Sequence, residues 1–233
     1  QSVGLLQYDG YYSNDIASYI SQAGISTSVS FVNVPVNGGI STPGSSSSEV
    51  SLDIEMAIAM APGLSKIYVY EGPNSSTSWS TILSKMANDN LAKQLSCSWG
   101  GGSPDAASEQ IFKQMAAQGQ SFFNASGDSD AFTGSVPFPS DSTNITQVGG
   151  TTLSMSSAGG AYASETTWNW GGGTGSSGGV STYYKIPSWQ KNISMTANGG
   201  STTYRNIPDV ALTGDNVFVV YGNGSTGNFG GTS

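Results

Sequence analysis

The stretch Ser48-Glu49-Val50-Ser51-Leu52-Asp53-Ile54-Glu55-Met56-Ala57-Ile58-Ala59-Met60, followed by Pro62-Gly63 and then Lys66-Ile67-Tyr68-Val69-Tyr70, decides the fold. Ser48 is a capping residue, positions 49–60 suit a helix, Pro62-Gly63 stops it, and the run at 66–70 reads as a strand. The same unit recurs on both sides. Strands are expected at 3–8 and 28–34, with a helix at 14–23 between them, capped by Ser13 and stopped by Gly24. Beyond position 70 come a helix at 78–89, a strand at 93–98, a helix at 105–118 and a strand at 120–125. This alternation predicts an α/β fold with a doubly wound, mostly parallel sheet flanked by helices. From about residue 130 the pattern changes to short strands separated by Gly, Ser and Thr. Residues 171–179 read as loop, strands resume at 208–212 and 217–221, and the last turns as a hairpin toward Gly230. There is no internal repeat.

The chain has 233 residues and no linker marked by a charge run, which favours one domain over two. Seven Lys and Arg against fifteen Asp and Glu give a net charge of -8. That balance argues against nucleic acid and anionic membrane as partners. Only 9% of residues are charged, against roughly 25% in ordinary soluble domains. A surface of Ser, Thr, Asn and Gly loses little when carboxylates are protonated, which suits an acidic medium as well as an ordinary extracellular one. Cys97 is the single cysteine, so no internal disulfide staples the chain. There is neither a long apolar span nor a basic-then-apolar leader. Gln1 enters almost at once into an apolar strand, which suggests that sequence upstream has been removed.

The chain closes on Gly230-Gly231-Thr232-Ser233, a glycine-flanked serine of nucleophile type, yet it contains no histidine. A catalytic serine here needs another base. Glu49 and Asp53 stand at i and i+4 on the expected helix, on one face with Cβ atoms about 5–6 Å apart. Like charges so placed repel unless they share a proton or face a partner. The plainer reading of Glu49, compensation of the helix dipole at its N-terminus, is stronger when the pair is taken alone. Asp128 lies just past the carboxyl end of an expected strand, where doubly wound sheets collect ligands, although an Asx turn is the slightly stronger reading when the residue is taken alone. Trp99 follows a strand in the same way and could wall a site, but tryptophan there is more often core. Residues 173–178 fit GxGxxG, and 175–179 fit GxSxG around Ser177. Neither lies between a strand and a helix, so both are set aside as accidents of a Gly/Ser-rich loop. No residues have zinc-site spacing.

Taken together and in order, these features resemble the sedolisins, or serine-carboxyl peptidases. The likeness runs from Glu49-Val-Ser-Leu-Asp53 and Ala61-Pro62-Gly63 through Ser98-Trp99-Gly100 and Ser126-Gly127-Asp128-Ser129. It continues through Val148-Gly149-Gly150-Thr151, Glu165-Thr-Thr-Trp168-Asn169, Ser177-Gly178-Gly179-Val180-Ser181, Pro187-Ser188-Trp189-Gln190 and Pro208-Asp209-Val210-Ala211 to Gly231-Thr232-Ser233.

The resemblance implies a subtilisin-like fold, with residues 1–233 as part of a peptidase catalytic domain. Ser233 is then the nucleophile, Glu49 the general base and later acid, and Asp53 the group holding Glu49. Asp128 is the oxyanion-hole acid, which must be un-ionised to donate its proton, so the implied activity belongs to acid. Such donors are worth about 2.7–4 kcal/mol. Trp99, Ser98, Gly100, Ser126 and Gly127 are the implied substrate-binding residues. The implied partners are a polypeptide substrate and the protein's own prosegment; the end at Ser233 has two readings, a cleaved C-terminal remainder that stays associated or a sequence cut short there. Calcium is implied through ligands beyond residue 233, and the setting is extracellular or an acidic compartment such as a lysosome.

Two departures stand out. Asp130 replaces the usual Gly after Asp-Ser, and Gln7 falls where some members have Glu, which shortens the expected carboxylate network. Because the chain stops at Ser233, the isolated fragment is expected to be inactive. The alternatives are a tripeptidyl peptidase of the same family and a non-catalytic secreted binding or scaffold protein on this fold. Retention of Glu49, Asp53, Asp128 and Ser233 together weighs against the second. An esterase is weaker still, given the misplaced GxSxG.

Overall fold

The helix expected over 49–60 forms as Ser47–Met60, with Ser46 at its N-cap and no side-chain capping bond. Ser48 therefore lies inside the first turn rather than capping it. Ser13 is likewise the first residue of its helix, with Tyr12 at the cap. The computed structural model describes residues 1–233. In chain order the elements are β1 (Ser2–Gln7), α1 (Ser13–Gln22), β2 (Ser30–Pro35), α2 (Ser47–Met60), β3 (Lys66–Glu71), α3 (Ser76–Asp89), β4 (Gln94–Cys97), α4 (Ala106–Ala117) and β5 (Ser121–Ala125). There follow β6 (Ser129–Ala131), β7 (Thr146–Met155), β8 (Tyr162–Thr167), β9 (Asn169–Gly171), β10 (Thr174–Lys185), β11 (Tyr204–Ile207), β12 (Val210–Thr213), β13 (Val217–Tyr221) and β14 (Ser225–Phe229).

The chain forms two units. The first holds Gln1–Trp99, Ala106–Phe123 and Phe218–Asn228, and the second holds Gly100–Asp105, Asn124–Val217 and Phe229–Ser233. In the first unit the strands run β4-β1-β3-β2, every neighbouring pair parallel. Parallel strands covered on both faces need apolar residues on both, and adjacent Leu5 and Leu6 are each buried. On one face Ile16 of α1 and Val50, Ile54 and Ile58 of α2 pack with Leu5, Ile67 and Val69. Elsewhere in this unit Phe112 of α4 meets Phe122 of β5 with ring centroids 5.1 Å apart. The expected strand-helix alternation is present, and with it the mostly parallel sheet flanked by helices. Ser75 caps α3, its hydroxyl accepting the Ser78 N–H at 3.1 Å.

In the second unit β7 pairs parallel with β12 and antiparallel with β8. The expectation of a loop over 171–179 is corrected. Gly171, Gly172 and Gly173 have positive φ and make a turn, but β10 begins at Thr174 and pairs with β6, β9 and β11. Its glycines and serines serve close packing: a Cβ on Gly178 would lie 3.1 Å from the Ile207 carbonyl oxygen.

Candidate active site

Glu49 occupies the first turn of α2, its N–H bonded to the Ser46 carbonyl at 3.1 Å. One turn later Asp53 is almost fully buried. Asp53 Oδ1 accepts the Ser98 hydroxyl at 2.7 Å and Oδ2 accepts Gln7 Nε2 at 2.5 Å. Gln7, wholly buried on β1, in turn accepts the Trp99 indole N–H on Oε1 at 3.1 Å. An indole nitrogen can only donate, so the amide oxygen must face Trp99 and the NH₂ must face Asp53. Where a Glu would add charge, Gln7 supplies a donor. Burial pushes the Asp53 carboxyl up to about 6, against the lowering effect of its bonds to Gln7 and Ser98. Trp99 also stands edge-on to Tyr8, centroids 5.4 Å apart. Cys97 is buried, and burial pushes its thiol far above the usual range, so it is an inert core group.

These groups belong to the first unit. The rest of the expected site residues, Gly100, Ser126, Gly127, Asp128 and Ser233, belong to the second. Past β5 the chain turns through Gly127 at φ +115, where a Cβ would meet Ser177 at 3.1 Å and Phe132 at 3.3 Å. Only glycine suits that conformation and that space. Ser126 is fully buried beneath this turn, its hydroxyl donating to the Ser177 carbonyl at 2.7 Å. The Ser177 hydroxyl accepts the Ser129 N–H at 2.9 Å. Ser177, set aside in the sequence, is thus a strut of the Asp128 turn.

Asp128 Oδ1 accepts two bonds from Thr232, the N–H at 2.8 Å and the hydroxyl at 2.9 Å. The same hydroxyl accepts the Gly127 N–H at 3.0 Å. Thr232 is buried and Ser233, next to it, is exposed. Asp130, the departure from glycine, sits at φ +55. That backbone explains glycine as the usual residue there, and Asp is among the side chains that tolerate it. Gly230 has no room for a side chain, since a Cβ would come within 2.5 Å of the Trp170 ring.

Sequence reasoning missed Thr232 and the reason for Gly230. Their signal lay only in adjacency to Ser233.

Over 96% of its length the chain is 36% identical to kumamolisin of Bacillus sp. (strain MN-32). Over 84% it is 34% identical to sedolisin of Pseudomonas sp. (strain 101). The chain belongs to the sedolisin family. Among solved structures it is similar to Pseudomonas sedolisin, a serine-carboxyl proteinase complexed with two molecules of pseudo-iodotyrostatin. The TM-score is 0.83 at 27% identity, covering 100% of this chain and 70% of that one. That likeness identifies the fold as the subtilisin-like α/β fold of the sedolisins. No family model matches the chain. It spans 44% of the length of kumamolisin and 38% of that of sedolisin. No group of three or more His, Cys, Asp and Glu side chains is arranged to hold a metal ion. Calcium, implied by the family resemblance through ligands beyond residue 233, enters no step below.

Proposed function

We propose that the whole protein is an acid-acting serine-carboxyl endopeptidase. Ser233 Oγ attacks the carbonyl carbon of a peptide bond while Glu49, held by Asp53, takes the hydroxyl proton. Un-ionised Asp128 donates a hydrogen bond to the oxyanion of the tetrahedral intermediate. Glu49 then protonates the leaving amine, and water, activated by the same carboxylate, releases the acyl group from Ser233. The observation that supports this reading most directly is the bonding of Asp128 to Thr232, the residue preceding Ser233. Among these 233 residues there is no histidine, and Glu49 is the carboxylate that stands in for an imidazole on this reading.

The substrate on this reading is a polypeptide, the protein is made with a removable prosegment, and residues 1–233 are the larger part of its catalytic domain. Low charge density suits export or an acidic compartment. No helix is long and apolar enough to cross a membrane.

The test uses the full-length protein. Ser233→Ala and Glu49→Ala should each abolish peptide hydrolysis in acid, and Asp128→Ala should lower kcat by about 10²–10³. Undiminished hydrolysis by Glu49→Ala would refute the assigned base. Equal cleavage of amino-free and amino-blocked peptides separates an endopeptidase from a tripeptidyl peptidase.

A further inference from the structure

The two oxygens of Asp128 have different surroundings. Oδ1 receives both the backbone N–H and the hydroxyl of Thr232, at 2.8 and 2.9 Å. A carbonyl-type oxygen has two lone-pair sites, and here both are taken by donors. A proton on Oδ1 would have to displace one of them. Oδ2 faces Gly231, where a Cβ would stand 3.4 Å from Oδ2. The hydroxyl of Thr232 has its direction set as well: it accepts the Gly127 N–H at 3.0 Å, which leaves its own proton to point at Asp128.

We infer that Thr232 is a positioning residue that confines the carboxyl proton of Asp128 to Oδ2 and keeps that oxygen turned toward Gly231. The inference rests on the reading of Asp128 as oxyanion donor and adds what that reading lacks, the reason that one oxygen and not the other donates. Without the hydroxyl, Oδ1 has one donor, the proton is shared between two positions, and only one of them is productive. The neighbouring elements present Gly175 of β10, whose N–H bonds the Asp128 carbonyl, the uncharged hydroxyl of Ser177, and Asp130 of β6. Of these only Asp130 is titratable, and it stays constant across the variants below.

The experiment compares Thr232→Ser, Thr232→Cys and Thr232→Val in the full-length protein by steady-state cleavage of a peptide across the acid pH range. Thr232→Ser keeps the hydroxyl and should stay within about threefold of the parent in kcat, whereas Thr232→Val should lose about tenfold or more with little change in KM. Thr232→Cys, a weaker donor of similar size, should fall between them. The alkaline limb should move to higher pH in Thr232→Val, because a donor favours the ionised carboxylate and its loss favours the neutral acid. An equal loss in all three with an unmoved limb, or no loss in Thr232→Val, overturns the inference. Should Thr232→Val fail to fold, the Ser-over-Cys order and the limb of Thr232→Cys decide in the same way. Retained hydrolysis in Asp128→Ala overturns the underlying reading and this inference with it. Lost hydrolysis there, together with indifference to the Thr232 series, overturns this inference alone.

Discussion

Glu55 in the first unit and Asp209 in the second are carboxyl groups held in opposite ways. Glu55 is fully buried on α2 and receives one bond, from the Val220 N–H at 3.0 Å. Its Oε1 and the Oδ1 of buried Asp15 both lack a hydrogen-bond partner, while Asp15 Oδ2 accepts the Asn223 N–H at 2.9 Å. Burial first, and the charge of Asp15 second, push Glu55 up to about 8. Asp209 by contrast faces Arg205, whose Nη1 and Nη2 reach its two oxygens at 2.9 and 2.6 Å, with the Gln147 N–H adding a third bond at 2.8 Å. One region keeps a carboxyl by leaving its proton in place, the other by surrounding a carboxylate with donors. The difference teaches that burial alone and pairing alone are two separate ways to hold a carboxyl inside a fold, and the core of the first unit favours protonated carboxyls. Asp53, raised by the same cause, belongs to that pattern.

The comparison breaks most visibly at Arg205. Arg205→Met removes the partner of Asp209 and should cost about 3–5 kcal/mol in denaturant unfolding, because a nearly buried carboxylate is left uncompensated. A loss below 1 kcal/mol would show that the ion pair does not hold this region.

Glu55→Gln sharpens the contrast. Because Glu55 is raised from 4.5 to about 8 in the folded chain, its contribution to stability is full below its unfolded value and is lost as pH rises through the folded one. The amide keeps an acceptor for the Val220 N–H and cannot ionise. The variant should match the parent in acid, exceed it at neutral pH by on the order of 1–3 kcal/mol after allowing for solvent screening, and flatten the decline between. Thermal unfolding across that range checks it, and parallel curves for the two proteins would remove Glu55 as the cause.

Ser75→Ala is the smallest expected effect. Loss of the bond to the Ser78 N–H should cost about 1 kcal/mol at every pH, because neither partner titrates. A pH-dependent loss would show that α3 is coupled to the buried acids.

The first 125 residues were legible because their signals are local. Val50, Ile54 and Ile58 recur at helical spacing, Pro62-Gly63 ends the helix, and Ile67 with Val69 reads as strand whatever surrounds it. The later chain hid β10 because Gly175, Ser176, Ser177, Gly178 and Gly179 carry loop composition, and their reason for being small is a close neighbour distant in sequence. Gln7 was legible only as a missing charge; its work as a donor depends on Trp99 and Asp53 meeting it in the core.

By itself the sequence determined the alternation of strand and helix and the want of any imidazole, and it singled out three carboxyls and a serine as candidate site residues. Only the tertiary structure decided which oxygen of Asp128 is engaged, whether an amide or a charge meets Asp53, and which acids are starved of donors. The physical reason is separation along the chain. The bonds from Thr232 to Asp128 join residues 104 positions apart, and no local pattern encodes the direction of a hydrogen bond that forms only when such distant segments pack.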